Sequence, residues 1–241
     1  FYGQNDYSLS FDGVDDYVEL AASNSLDFEN QNQITITSWI KITSSENQYA
    51  ILNSSDFFNV HPQIAFKIDF GKLYFISGNG DFESNGLNIS VTQLPLDEWI
   101  YATFSYDSNA VRFYINGILD FENYVIDEFP ALSGNNLYIG NSWGANNVPF
   151  SGKIANVNVW NTALSQQEIQ QYMSCPPTGN EEGLVGCWNF EEGTGGTVFD
   201  QTENGNDGLI NGATYSTNVP DQSCESGCTD ILANNFNPEA N

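Results

Sequence analysis

Cations are scarce in this 241-residue chain: 5 Lys and Arg stand against 31 Asp and Glu, a formal charge of −26. Neutralising phosphates needs a basic face, so nucleic-acid binding is excluded as a main role, and an anionic membrane surface is disfavoured on the same ground. Apolar runs are short and fall far below the roughly 20 residues of a bilayer span, which argues against membrane insertion. A single Met and few Leu-rich patterns leave little material for a helical bundle. One histidine, His61, precedes Pro62, and no Gly-x-Ser-x-Gly elbow exists for it to serve, so a hydrolase triad is not expected. Cysteine is absent from the first 174 residues; Cys175, Cys187, Cys224 and Cys228 follow at spacings of 12, 37 and 4, unlike paired zinc knuckles. That usage, with the acidity, points to an extracellular or cell-surface location. Phe1 is preceded by neither an initiator Met nor a leader, so the sequence reads as a mature or excised fragment.

What the chain does have is apolar and aromatic material, 40% and 14% of its residues, too much for a disordered acidic chain. Strict alternation marks strands at Ile34 to Ile42, Val111 to Ile115 and Ile154 to Trp160, each expected to bury one face and wet the other. Shorter candidates are Tyr7 to Phe11, Tyr17 to Leu20, Tyr49 to Asn53, Ile64 to Phe70, Lys72 to Ser77, Trp99 to Tyr106 and Leu137 to Gly140, with β pattern resuming at Leu184 to Phe190, Thr197 to Asp200 and Gly208 to Asn211. Phe70-Gly71 and Asn116-Gly117 read as hairpin turns. The stretch Ser165-Gln166-Gln167-Glu168 is a capping box that opens a helix ending by Met173, ahead of Pro176-Pro177. The fold class that follows is all-β, an antiparallel two-sheet jelly-roll sandwich with one short helix.

Leu9-Ser10-Phe11-Asp12-Gly13-Val14-Asp15-Asp16-Tyr17-Val18 resembles the opening signature of the laminin-G-like, concanavalin A-like jelly rolls of secreted bacterial proteins. Further landmarks follow in order: Ile34 to Ile40, Trp99 to Tyr106, Val111 to Gly117, and Gly152 to Asn161 with Ala163-Leu164-Ser165. The resemblance covers residues 7 to 173. Residues 184 to 215 are similar to the segment that usually precedes the Phe11-Asp12-Gly13 strand, and here they come last. Either they fold back to complete the same sandwich, giving one domain over residues 1 to 222, or they begin a second copy. Fold-back is favoured, because a lone strand set would expose Leu184, Trp188, Phe190 and Val198 at roughly 1.5–3 kcal/mol per large side chain. Cys175 and Cys224 would then pair and tie the segment down, leaving Cys187 buried and free and Cys228 unpaired. A Cys187 to Cys228 bridge is the alternative, since four cysteines allow three pairings. The tail from 223 to 241 resembles the "G-C-T-D" repeats of secreted bacteroidete and marine proteins, in which a later cysteine normally follows.

Because such jelly rolls include glucanases, catalysis would need two carboxylates on one strand about 5 Å apart for retaining hydrolysis. No Glu-x-Asp-x-x-Glu triplet occurs; Asp97-Glu98 and Asp127-Glu128 are adjacent and so face opposite ways, and Glu181-Glu182 and Glu191-Glu192 sit beside glycines. Ca2+ is the expected cofactor, since it wants six to eight oxygens in flexible turns. Two segments fit: Asp12, Asp15 and Asp16, and Asp200, Asn204, Asn206 and Asp207. The resemblance implies a Ca2+ near the rim of the sandwich without assigning its ligands; both segments also read as ordinary turns. Trp39, Trp99, Trp160 and Trp188 lie in strand patterns and belong to the core, whereas Trp143 lies in a polar loop with Asn141 and Asn146. Those three, with Phe57, Phe58 and His61, are the candidate ligand residues, for aromatic faces stack on sugar CH groups while amides fix hydroxyls. The function expected is a noncatalytic carbohydrate-binding or adhesion module that engages a glycan or surface polysaccharide, with a protein ligand or a glucan-cleaving activity as alternatives.

Overall fold

Two tight hairpins set the registers. In the computed structural model, which describes residues 6–27, 32–54, 64–77, 88–124, 135–141, 148–222 and 224, both turn residues at Phe70-Gly71 and at Asn116-Gly117 have positive φ. That backbone is the type I′ geometry matching the right-handed strand twist. The first turn joins β5 (Ile64–Asp69) to β6 (Lys72–Ser77), and the second joins β8 (Ala110–Ile115) to β9 (Ile118–Tyr124).

The larger, eight-stranded sheet runs β15 (Thr214–Ser216), β1 (Ser8–Asp12), β11 (Ser151–Trp160), β3 (Ile34–Ile42), β7 (Ile100–Tyr106), β8, β9, with β12 (Leu184–Trp188) also paired to β11. The first half of β11 pairs with β1 and its second half with β12, so two strands from distant parts of the chain lie along one neighbour. A bulge separates the halves: Ala155 faces Trp39 and Val157 faces Ser38, leaving Asn156 at φ 37 between them. Asparagine tolerates this backbone better than a β-branched residue would.

The second sheet, of seven strands, runs β13 (Thr197–Val198), β14 (Gly208–Asn211), β2 (Tyr17–Leu20), β10 (Leu137–Ile139), β4 (Gln48–Ser54), β5, β6. Segment 184–216 therefore supplies strands to both sheets. Every pairing in the described residues is antiparallel, and the architecture is a two-sheet sandwich of the jelly-roll kind with one helix.

Between the sheets lies one apolar layer in which Leu9, Val18, Leu20, Ile36, Phe66, Phe104, Phe113, Val157, Trp188 and Val198 are buried. The Phe75 and Phe104 rings stack at its centre, centroids 3.6 Å apart. The β6 edge is sealed by residues 88–90, with Phe75 N–H donating to Asn88 O and Ser90 N–H to Leu73 O. The next two residues reach the other sheet, where Val91 and Thr92 donate their N–H groups to the Asp120 carboxylate of β9.

The alternating strands Ile34–Ile42 and Ser151–Trp160 do not have the wet outer face that period two implies; nearly every residue in both is buried. The reason is a third layer. Helix α1 (Gln166–Ser174) starts at the Ser165 capping box and lays Ile169 on the outer face of the larger sheet, over Trp39, Tyr101, Trp160, Leu184 and Cys187. Trp160 and Tyr172 rings meet at 4.7 Å, and Gln170 Nε2 donates to Gly117 O. The tryptophans thus divide: Trp188 lies between the sheets, Trp39 and Trp160 lie beneath the helix, and Trp99 is only half-buried at that cluster's margin.

Helix α1 is held at its end by a Cys175–Cys224 disulfide, and Gln222 Nε2 donates to Met173 O beside it. Cys187 is buried and free, its thiol pushed far up by burial and then by the charge of Asp200, which leaves it unreactive. Cys228 and the 225–241 tail lie outside the described residues. No helix among the described residues is long and apolar enough to cross a membrane.

Candidate functional site

The outer face of the seven-stranded sheet carries a different set of side chains. Val18, Leu20, Leu137 and Ile139 point into the core, so Tyr17, Glu19 and Tyr138 lie on the opposite face by alternation, Tyr17 and Glu19 half-buried and Tyr138 buried. Tyr138 is flanked in register by Glu19 on one side and Asn53 on the other. The Tyr17 and Tyr138 rings meet edge to face at 5.8 Å, an arrangement that fits the ring quadrupoles. Glu19 Oε1 accepts from Asn136 Nδ2 at 2.8 Å and from the Tyr138 hydroxyl at 3.3 Å. Burial, then the Glu19 charge, raises the Tyr138 phenol, so it stays a proton donor near neutral pH. Asn53 Nδ2 is buried and has no hydrogen-bond partner among the described residues. Farther along this face Lys67 Nζ lies 5.1 Å from the Tyr74 ring centroid, and Gln48 Nε2 donates to Asp69 at 2.6 Å.

Of the ligand residues expected from sequence, Trp143, Asn146, Phe57, Phe58 and His61 lie outside the described residues. Asn141 is buried just past the end of β10, on the strand that carries Tyr138. Tyr17, Glu19, Asn53 and Tyr138 went unnoticed in the sequence. The signal was present in the alternation of Tyr17-Val18-Glu19-Leu20 and Leu137-Tyr138-Ile139, which places Tyr and Glu together on the face away from the core.

The two acidic segments differ in their fit to a cation. Ligand oxygens of Asp12, Asp15 and Asp16 come within 4.8 Å of one another. Asp12 Oδ1 accepts from Val14 N–H, and Asp16 Oδ2 from Asp12 N–H. Asp16 is buried with its Oδ1 against Gly212, whereas Asp12 and Asp15 are exposed. Burial chiefly, then the neighbouring Asp12 and Asp15 charges, raises the Asp16 carboxyl, a repulsion that a divalent ion would relieve.

The segment from Asp200 to Asp207 has its side chains bonded within its own loop. Asp200 Oδ1 accepts from Cys187 and Thr202 N–H, and Oδ2 from the Thr202 hydroxyl and from Asn206 N–H and Nδ2. Asn204 and Asn206 turn their amide nitrogens onto Val185 O, and Asp207 Oδ1 accepts from Asp200 N–H. With both Asp200 oxygens holding donors, the carboxylate organises the loop that Asn204, Asn206 and Asp207 share, which agrees with the reading of this segment as a turn. The adjacent glutamates are similarly engaged. Glu181 accepts from Thr178 and Gly179 N–H, Glu191 from Asp6 and Tyr7, and Glu192 from Phe199.

A model of the Laminin_G_3 family, of the concanavalin A-like lectin/glucanases superfamily, matches residues 12–170. The protein belongs to this family. No curated protein matches the chain. Among solved structures, a candidate carbohydrate-binding protein from Bacteroides ovatus is 19% identical with a TM-score of 0.72; the alignment covers 92% of this chain and 62% of that one. A heptameric SAP-like pentraxin from Limulus polyphemus is 16% identical with a TM-score of 0.59, covering 88% of this chain and 95% of that one. The chain therefore spans less than two thirds of the Bacteroides protein, and at these identities the likeness is one of fold.

Proposed function

We propose that the protein is a noncatalytic carbohydrate-binding module of a larger secreted or cell-surface protein, docking a glycan on the outer face of its seven-stranded sheet. The observation that carries this reading is the half-buried Tyr17 ring, held edge to face by the buried Tyr138, with Glu19, Asn136 and Asn53 beside it. Aromatic rings pack against the CH face of a sugar while an amide and a carboxylate fix its hydroxyls. The family and the Bacteroides neighbour support a glycan as the ligand class. Glu181, Glu191 and Glu192 hold backbone N–H groups, which supports a binding rather than a catalytic role. The disulfide supports an oxidising, extracellular setting. Ca2+ belongs to the same proposal: Asp12, Asp15 and Asp16 would hold it, as a charge that lets the turn between β1 and β2 close. A glycan array read with and without EDTA tests the module. Tyr138→Ala and Tyr17→Ala should each weaken the strongest glycan about tenfold, and release of reducing sugar from any polysaccharide would overturn the noncatalytic reading.

A further inference from the structure

With five cations in 241 residues, each placement carries information. Arg112 is neutralised twice, by Asp107 at 2.6 Å and Glu122 at 2.7 Å, and Lys67 lies over the Tyr74 ring. Lys41 and Lys153 are instead direct cross-strand partners on β3 and β11. Among the described residues neither has a carboxylate within ion-pair distance. Like charges set opposite each other on a sheet repel, and a chain with 31 acids has ample means to neutralise them.

The pair sits in a row of suitable neighbours. Lys153 Nζ donates to Ser10 Oγ at 3.2 Å, and Ser10 is its partner on β1. Beyond Ser10 the row continues to Thr214. On the other side it reaches Trp99, one residue out from the Ile40 and Ile100 pair. The Trp99 indole N–H donates to Asn218 Oδ1 at 3.0 Å, which fixes the ring against the margin of the cluster beneath α1. The helix layer covers Trp39 and Ala155 in the adjacent row and stops there. Ser10, Lys41, Lys153 and Trp99 stay half-open to solvent, and Thr214 is exposed.

We propose that this row is a subsite for an acidic polysaccharide. The two ammonium groups take an oxyanion carried on the sugar, a uronate carboxylate or a sulfate ester; Ser10 and Thr214 bond adjacent hydroxyls; and the Trp99 ring meets the sugar. Charge complementarity selects the occupant, since on this acidic surface an unpartnered cation pair favours an anion over a neutral chain. The subsite lies on the sheet opposite the Tyr17–Tyr138 face and does not depend on the reading proposed for that face.

Calorimetric titration of the full chain in EDTA with an oligogalacturonate, a sulfated galactan oligomer and a neutral galactan oligomer of matched length tests it. The tighter of the two acidic probes identifies the oxyanion. Lys41→Gln with Lys153→Gln should weaken acidic binding at least tenfold while leaving the melting temperature unchanged or higher. Trp99→Ala should weaken it in addition. Lys72→Gln, which removes a cation from the other sheet, should leave acidic binding as it was, and Tyr138→Ala should affect only the neutral oligomer, so failure of one site is distinguishable from failure of the other. The proposal is overturned if the double variant binds the acidic oligomers like the parent protein, or if neither acidic probe binds. It is equally overturned if inorganic sulfate or an acidic peptide binds as tightly as the oligosaccharides.

Discussion

Breaking the Cys175–Cys224 bond should cost the protein much of its stability. The bond closes a loop over a sequence separation of 49 that contains β12, β13, β14 and β15, hence strands of both sheets. Loop-closure entropy for that length amounts to about 14 cal/mol/K, or about 4 kcal/mol at 25 °C. For a domain of this size 1 kcal/mol corresponds to roughly 2–4 °C, so Cys175→Ser with Cys224→Ser should melt about 8–16 °C lower. The fold itself should survive, because the pairings of β12 with β11 and of β14 with β2 do not depend on the bond. Calorimetry of the parent and the double variant, each with and without a phosphine reductant, provides the assay. The reductant should lower the parent's melting temperature to that of the variant and leave the variant unmoved. A shift below about 2 °C would refute the entropic argument, and a reductant effect on the variant would show that another bond carries the stability.

The remaining predictions concern charge and packing. Burial raises the Asp16 and Glu191 carboxyls in the folded state, so the folded protein takes up these protons before the unfolded chain does. Stability should therefore rise as pH falls from 7 toward about 4.3, where unfolded carboxyls titrate. Asp107 works the other way: although burial opposes it, its bonds to Arg112, Asn109 and Ala110 hold it low. Its contribution is present above about 3.9 and fades as pH falls further, so melting followed by calorimetry at fixed ionic strength should pass through a maximum. A steady decline from pH 7 downward would contradict this. Trp188 is fully buried and its indole N–H donates to Asn206 O; Trp188→Ala should cost about 3–5 kcal/mol in urea titrations. Gly186→Ala should destabilise as well, because a Cβ there presses into the Trp188 ring. Asp200→Asn should cost about 2–3 kcal/mol whether Ca2+ or EDTA is present, as befits a loop organiser. Asp12→Asn, by contrast, should abolish a melting rise produced by millimolar Ca2+ beyond that of NaCl at matched ionic strength; equal effects of the two salts would remove the cation from Asp12, Asp15 and Asp16.

Sequence was most informative where one residue type decides a local geometry. Asn116-Gly117 and Phe70-Gly71 both adopt positive φ, and the Ser165–Glu168 capping box opens the helix where its spacing says. Burial was misjudged in Ile34–Ile42 and Ser151–Trp160, because the alternation there separates two different buried layers rather than a dry face from a wet one. Large apolar residues at both parities, Trp39 and Trp160 on one face against Ile36 and Val159 on the other, are the trace of that second layer. The strands β13 and β15 have two and three residues and are too short for a period to show. Lys41 and Lys153 are brought together only by the register of β3 against β11, and Glu19 meets Tyr138 across a similarly long stretch of sequence. Such pairings depend on sheet order, which no local pattern encodes.

The acidity of the chain has a structural side that net charge alone conceals. With so few cations, the carboxylates cannot be held by ion pairs, and both pairs among the described residues belong to Arg112. Backbone N–H groups take that place. Asp107 closes on Asn109 and Ala110, Asp120 on Val91 and Thr92, Glu181 on Gly179, Glu191 on Tyr7, and Asp200 on Cys187 and Thr202. A charged acceptor makes these bonds stronger than neutral ones, so irregular connections in a glycine-rich sandwich become defined without lengthening the strands. Carboxylates so occupied are poor general acids and poor cation ligands. What stands out against them are the groups left over: the Asp12, Asp15 and Asp16 turn, Glu19 beside two tyrosines, and a lysine pair that faces no acid among the described residues.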